Sequence, residues 1–366
     1  MSGRHLRRGR AAGARRLLAL LGLLLVGAAA GAGGWLLWAE RSSPSSTEAA
    51  GGSAGSAALA PEPGPITIAL AGDITASAAL LDRLAQDRDD VVGSVAEVLR
   101  DADLAVVDLD APVAAEPSAA PEVAAVPPAT LAALHAAGVD VVSAANDRSL
   151  DLGADAALAA ASDAGRGVSV IGVGADEASA YRPFVREVGG QTVAVIAATQ
   201  LLDPARIGSD TAGPGQAGVA SAKRVDRLVA EVEAARATAD TVVVYLHWGT
   251  PGETCPSTSQ QELAAALVAA GADVVAGPGA GRVQGAGRAG GAAVAYGLGT
   301  LLAEQPEDVD SGVLLVRIDG REVIDIAWVP TTLGADGFPS LRLGAEATDA
   351  TARWDELRGC AELGPG

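Results

Sequence analysis

Runs of aliphatic residues, six to eight long and often closed by glycine or an acid, recur from Ile66 to Val329. ITIALAG (66–72), LAVVDL (104–109), VDVVSAA (139–145), VSVIGV (168–173), TVAVIAA (192–198), TVVVYLH (241–247), ADVVAG (272–277) and AAVAYGLG (292–299) are too short for helices. They read as buried strands. SGVLLVRI (311–318) and EVIDIAWV (322–329) are linked by Asp319-Gly320-Arg321, a hairpin-length turn that makes them antiparallel. Helical patterns fall between the runs, over 78–86, 91–101, 128–137, 154–164, 222–238 and 258–270. Strands alternating with helices imply an α/β domain with largely buried strands.

The stretches 110–128 and 203–218 are rich in proline, glycine or alanine and predict loops, which at strand ends are where sites are built. Nothing repeats, and one folded domain over 65–331 accounts for the pattern. Residues 332–366 are weakly patterned and predict a C-terminal wrap anchored by Trp354 and Cys360.

The N-terminus differs in kind. Residues 1–16 hold six arginines and no acid, and residues 17–39, LLALLGLLLVGAAAGAGGWLLWA, carry no charge. At 1.5 Å per residue this run can span roughly 30 Å of hydrocarbon. The arginines place a cytoplasmic tail at 1–16 and the remainder outside the cell membrane. A cleaved signal peptide is the competing reading, since Ala28-Ala29-Ala30-Gly31-Ala32 suits a peptidase, whereas Trp35 and Trp38 suit an uncleaved anchor at the interface. Residues 40–64, rich in Ser, Pro, Gly and Ala, predict a flexible linker.

The formal charge is −19; setting aside the six N-terminal arginines leaves 20 basic against 45 acidic residues. Such a surface repels nucleic acid, and no nucleic-acid partner is expected. Two cysteines, Cys255 and Cys360, lie on the expected outer side, where a disulfide persists. Pairing them would tie the tail to the loop after His247; two free thiols are the alternative.

Polar residues gather at four strand ends: Gly72-Asp73, Asp108-Leu109-Asp110, Asn146-Asp147-Arg148 and His247-Trp248-Gly249. In an α/β fold the carboxyl ends of strands share an edge, so distant groups converge there. Taken in order, GD, ADLAVVDLDAP, VDVVSAANDRSLDLG, VIGVGADEASAYRP, LHWG with the CP that follows, GADVVAG with VQ, and AYGLGT resemble the CapA family. These are bacterial envelope proteins associated with capsule and poly-γ-glutamate synthesis. The resemblance runs from about Ile66 to Val329. It implies a metallophosphatase-like αββα sandwich, two mixed sheets flanked by helices, following one N-terminal transmembrane helix.

The resemblance also implies a metal site, and this chain departs from it. Asp73 keeps the family's GD, Asp108-Leu109-Asp110 stands for Asn-Leu-Glu, and His247-Trp248-Gly249 is retained. Asn146-Asp147-Arg148 replaces Asn-Asn-His, and Gly279 and Gly281 stand where members commonly carry His-x-His. The remaining histidines are His5, in the tail, and His135, on a predicted helix. The residual metal-site positions are therefore Asp73, Asp108, Asp110, Asn146 and His247. Such a set suits Mg, Ca or Mn better than softer-ligand ions. Arg148 could plug the site with its guanidinium or point to solvent. Three functions follow: an envelope protein with a degenerate site that binds envelope polymer or capsule-assembly proteins, a metal-dependent hydrolase or phosphoesterase, or a structural domain.

Overall fold

The computed structural model describes residues 64–86, 91–115, 123–162, 167–303 and 310–366. The expected cytoplasmic tail, the apolar run 17–39 and all but the last residue of the linker lie outside the described residues. No helix among the described residues is long and apolar enough to cross a membrane.

Sixteen strands are described: β1 Ile66–Thr75, β2 Leu104–Asp110, β3 Val141–Ser143, β4 Ser169–Ile171, β5 Val173–Gly174, β6 Phe184–Val188, β7 Gln191–Thr199 and β8 Gly218–Val219; then β9 Thr241–His247, β10 Val274–Ala276, β11 Ala286–Ala289, β12 Ala292–Ala295, β13 Thr300–Leu302, β14 Asp310–Asp319, β15 Glu322–Leu333 and β16 Pro339–Leu341. One sheet has the order β16-β15-β14-β1-β2-β3-β4, with β13 pairing the end of β1. The second large sheet has the order β11-β12-β10-β9-β7-β6, and β5 and β8 form a separate antiparallel pair. Both large sheets are mixed. β1 to β4 are parallel while β14 runs against β1, and β7, β9, β10 and β12 are parallel with antiparallel β6 and β11 outside them.

Strict alternation along the strands builds the layers. Ile66, Ile68, Leu70, Leu104 and Val106 share a core with Val193, Val195, Val243 and Tyr245 of the other sheet. The intervening Ala69, Ala71, Ala105 and Val107 pack on Leu99, Leu131 and Leu134 of the helices Val95–Asp101 and Ala129–Ala136. On the far side, Ala194, Ile196, Val242 and Val244 pack on Leu228, Val232, Leu263 and Leu267 of Val225–Arg236 and Thr258–Ala270. The result is the helix–sheet–sheet–helix arrangement expected.

The boundary placed at 331 falls inside β15, whose last residues pair with β16, so the tail completes the first sheet. The helix Gly344–Leu357 follows, and Trp354 stacks on Trp328 of β15 with centroids 5.5 Å apart. Strands β6, β8, β11, β13 and β16 are outside the runs read as strands, and β8 begins inside the loop expected over 203–218. β11, Ala-Gly-Arg-Ala, has no apolar run at all and is held by its neighbour β12. Cys255 and Cys360 are joined in a disulfide across 105 positions.

Candidate functional site

The carboxyl ends of β1, β2 and β9 meet at one edge of the sandwich. Asp73 on β1 sits beside Asp108 on β2, and Thr75 beside Asp110. His247 arrives from the other sheet as the last residue of β9. Two residues earlier on each strand, the Tyr245 hydroxyl donates to the Ala71 carbonyl at 2.5 Å, tying the sheets together under the site. Gly72 permits the crossing: a Cβ there would lie 2.0 Å from the Gly299 carbonyl oxygen, where the chain turns into β13.

His247 is the hub. Its Nδ1 lies 3.2 Å from Asp108 Oδ2 and 3.4 Å from Asp73 Oδ1, and its Nε2 lies 3.3 Å from Asp147 Oδ1. Donor atoms of Asp73, Asp108 and His247 lie within 4.8 Å of one another, as do those of Asp110, Asp147 and His247. Either trio could hold an ion. Asn146 is also present but committed: its Nδ2 donates to Asp108 Oδ2 and the Leu109 carbonyl, and its Oδ1 accepts from Ser149 N, Ser149 Oγ and Arg148 N. It shapes the loop after β3 and positions Asp108.

Electrostatics mark this cluster as incomplete. Burial raises the Asp73 carboxyl to about 6 against the lowering pull of His247, with Asp108 adding to the rise. Burial also raises Asp110 well above the ordinary range. His247 is raised well above its usual value, because the neighbouring aspartates outweigh the burial that would lower it. Asp147 is partly buried, which would raise it, yet its bond to His247 and the His247 and Arg148 charges hold it low. Oδ1 of Asp108 and of Asp110 are buried without a hydrogen-bond partner, and Asp73 Oδ1 is buried with only the 3.4 Å approach of His247 Nδ1. Buried carboxylate oxygens are rarely left so. Oxygen donors with a single imidazole fit a hard divalent cation, and the unpartnered oxygens are where one would be held.

Asp147 is the functional residue the ligand set lacked. Its signal was its place beside Asn146, where an acid stands for the family's second Asn. Arg148 does not plug the site. Its side chain is half exposed and its Nε lies 3.5 Å from Asp151 Oδ2, because the loop hydrogen bonds to Asn146 turn it outward. The two glycines differ. Gly279 has φ +113° and a Cβ there would lie 2.6 Å from Trp248 N and O, so backbone contact forbids a side chain. Gly281 has φ +65° with open space around its missing Cβ. His135 lies on the exposed side of its helix, outside the cluster.

Several solved structures are similar to this chain. A hypothetical protein from Thermus thermophilus is 16% identical with TM-score 0.48, covering 72% of this chain and 98% of that one. A novel phosphatase from Mycoplasma pneumoniae is 12% identical with TM-score 0.46, covering 74% and 95%. The Thermus thermophilus sulfate thiohydrolase SoxB is 14% identical with TM-score 0.44, covering 80% and 60%. No curated protein matches. The sequence profile of the bacterial capsule synthesis protein PGA_cap matches residues 67–305, a span that holds Asp73, Asp108, Asp110, Asn146, Asp147 and His247. With well over half its length inside that match, the chain belongs to the bacterial capsule synthesis family, PGA_cap.

Proposed function

We propose that this chain is an envelope protein of capsule or poly-γ-glutamate synthesis whose Asp–His cluster holds a divalent cation, Mn, Mg or Ca. One observation carries the cation: Oδ1 of Asp108 and of Asp110 are buried without a hydrogen-bond partner in a cluster that already contains Asp73 and His247. Asp73, Asp108 and His247 would form the buried part of the ligand set, with Asp110 and Asp147 nearer solvent. A bound cation would supply Lewis-acid polarisation of a substrate oxygen and an activated water. The chain's own residues hold the geometry: Asn146 fixes Asp108, and Tyr245 fixes the distance between the sheets.

Hydrolysis at this cluster is the active form of the reading. A degenerate site that binds polymer or assembly partners without turnover is the second, favoured by Gly279, where no ligand can stand. Residues 17–39 serve in this proposal as a membrane anchor, with the tail in the cytoplasm and the folded domain outside. The test is thermal melting of the full-length chain with each ion and with chelator, alongside metal analysis. An ion-dependent rise in Tm that Asp108→Asn abolishes is expected; equal melts in ion and chelator would sink the cation. A phosphoester and γ-glutamyl panel then separates the hydrolase from the degenerate site.

A further inference from the structure

His247 belongs to both acid trios, one with Asp73 and Asp108 and one with Asp110 and Asp147. A neutral imidazole has a free lone pair on one nitrogen and a proton on the other, so it serves one ion. An ion on Nδ1 leaves the proton on Nε2, and an ion on Nε2 leaves it on Nδ1. The two faces of the ring therefore compete, and they are unequal.

On the Nδ1 side two carboxylate oxygens stand close, Asp108 Oδ2 at 3.2 Å and Asp73 Oδ1 at 3.4 Å. Adjacent ligands on an octahedral ion with bonds of about 2.3 Å are about 3.2 Å apart, so both oxygens already keep a ligand's spacing from the ring nitrogen. The Asp108 side chain is 0% exposed and that of Asp73 6%. Asp108 also keeps its second oxygen, Oδ1, buried without a hydrogen-bond partner. On the Nε2 side the near oxygen is Asp147 Oδ1, at 3.3 Å, from a side chain that is 43% exposed. Asp110, the other acid of that trio, is half-buried and comes within 4.8 Å. Charge decides the same way. An ion on Nε2 would leave Asp73 and Asp108 as two buried carboxylates facing one ring N–H, a costly arrangement. An ion on Nδ1 neutralises that pair and leaves Asp147 to solvent and to the Nε2 proton.

We infer that the cluster holds a single ion on the Nδ1 face of His247, and that Asp147 is a positioning residue that accepts from the Nε2 proton and so fixes the tautomer and tilt of the ring. This rests on the cation proposed above and narrows its ligand set, since Asp147 acts through His247 and does not touch the ion. A carboxylate behind a ligating histidine is worth about 10–100-fold in metal affinity. The test is a Mn2+ titration of the full-length chain, with free ion counted by electron paramagnetic resonance. One Mn2+ per chain is expected. Asp147→Ala should weaken it about 10–100-fold at unchanged stoichiometry, and Asp147→Asn, whose amide oxygen still accepts from Nε2, should recover most of that loss. Pulsed resonance on Mn2+-loaded chain carrying 15N-histidine labelled at Nδ1 alone should show a directly bound nitrogen, which His247→Asn removes. Two ions per chain, equal losses in the Ala and Asn variants, an affinity that neither changes, or direct coupling to an Nε2 label instead would overturn the assignment while leaving the cation in place. A wild type that binds no Mn2+ would overturn the cation and this assignment with it.

Discussion

At the scale of single residues, the site is an excess of buried acid held around one imidazole. Asp73 has the clearest consequence for pH. Its folded carboxyl binds a proton more tightly than the unfolded chain does, at about 6 against an ordinary value of 3.8. Its contribution to stability is therefore present below about pH 4 and lost as pH rises through about 6. Urea unfolding of the metal-free protein from pH 4 to 7 should show that decline, on the order of 1–3 kcal/mol. Asp73→Asn should flatten it; an unchanged slope would place the burden elsewhere in the cluster. A bound cation should remove the same decline, since it stabilises the ionised carboxylates.

At the scale of elements, the loop after β10 is packed as bare backbone against the end of β9. Trp248 N donates to the Pro278 carbonyl at 2.8 Å, and Gly279 passes over that contact. Gly279→Ala should cost about 3 kcal/mol, combining a left-handed backbone with a steric clash. Gly281→Ala, with the same backbone constraint but open space, should cost about 1 kcal/mol. Equal losses in chemical denaturation would contradict the packing described. Restoring a histidine is therefore open at 281 and closed at 279, so the family's His-x-His cannot be rebuilt by substitution alone. In sequence the two glycines are alike; only the path of the loop made them different.

At the scale of the whole molecule, the C-terminal tail belongs to the core. Helix Gly344–Leu357, the Trp328–Trp354 stack and the Cys255–Cys360 disulfide join the last residues to the loop that follows His247. A bridge closing a loop of this size stabilises by roughly 2–5 kcal/mol. Replacing both cysteines with serine should lower the denaturation midpoint accordingly while leaving the Asp–His distances intact. Ion-induced stabilisation should survive in that variant; its loss would show that the tail also shapes the site.

Much of this was legible before any coordinates. Alternating aliphatic runs determine strands with two buried faces, because a period of two leaves no other way to hide both sides, and the helices between them follow. The edge where Asp73, Asp108, Asp110 and His247 meet was also predictable, since parallel strands bring their carboxyl ends together. The remainder required long-range contact. β11 and β13 form because neighbours offer unpaired backbone groups, a cause absent from their own residues. Asn146, read from sequence as a ligand, is spent inside its loop; Asp147, left out of the ligand set, reaches His247; and Arg148, read as a possible plug, turns to Asp151. Composition and order determine which side chains arrive at the edge. Which of them face the cluster is decided by hydrogen bonds and backbone crossings between segments a hundred residues apart.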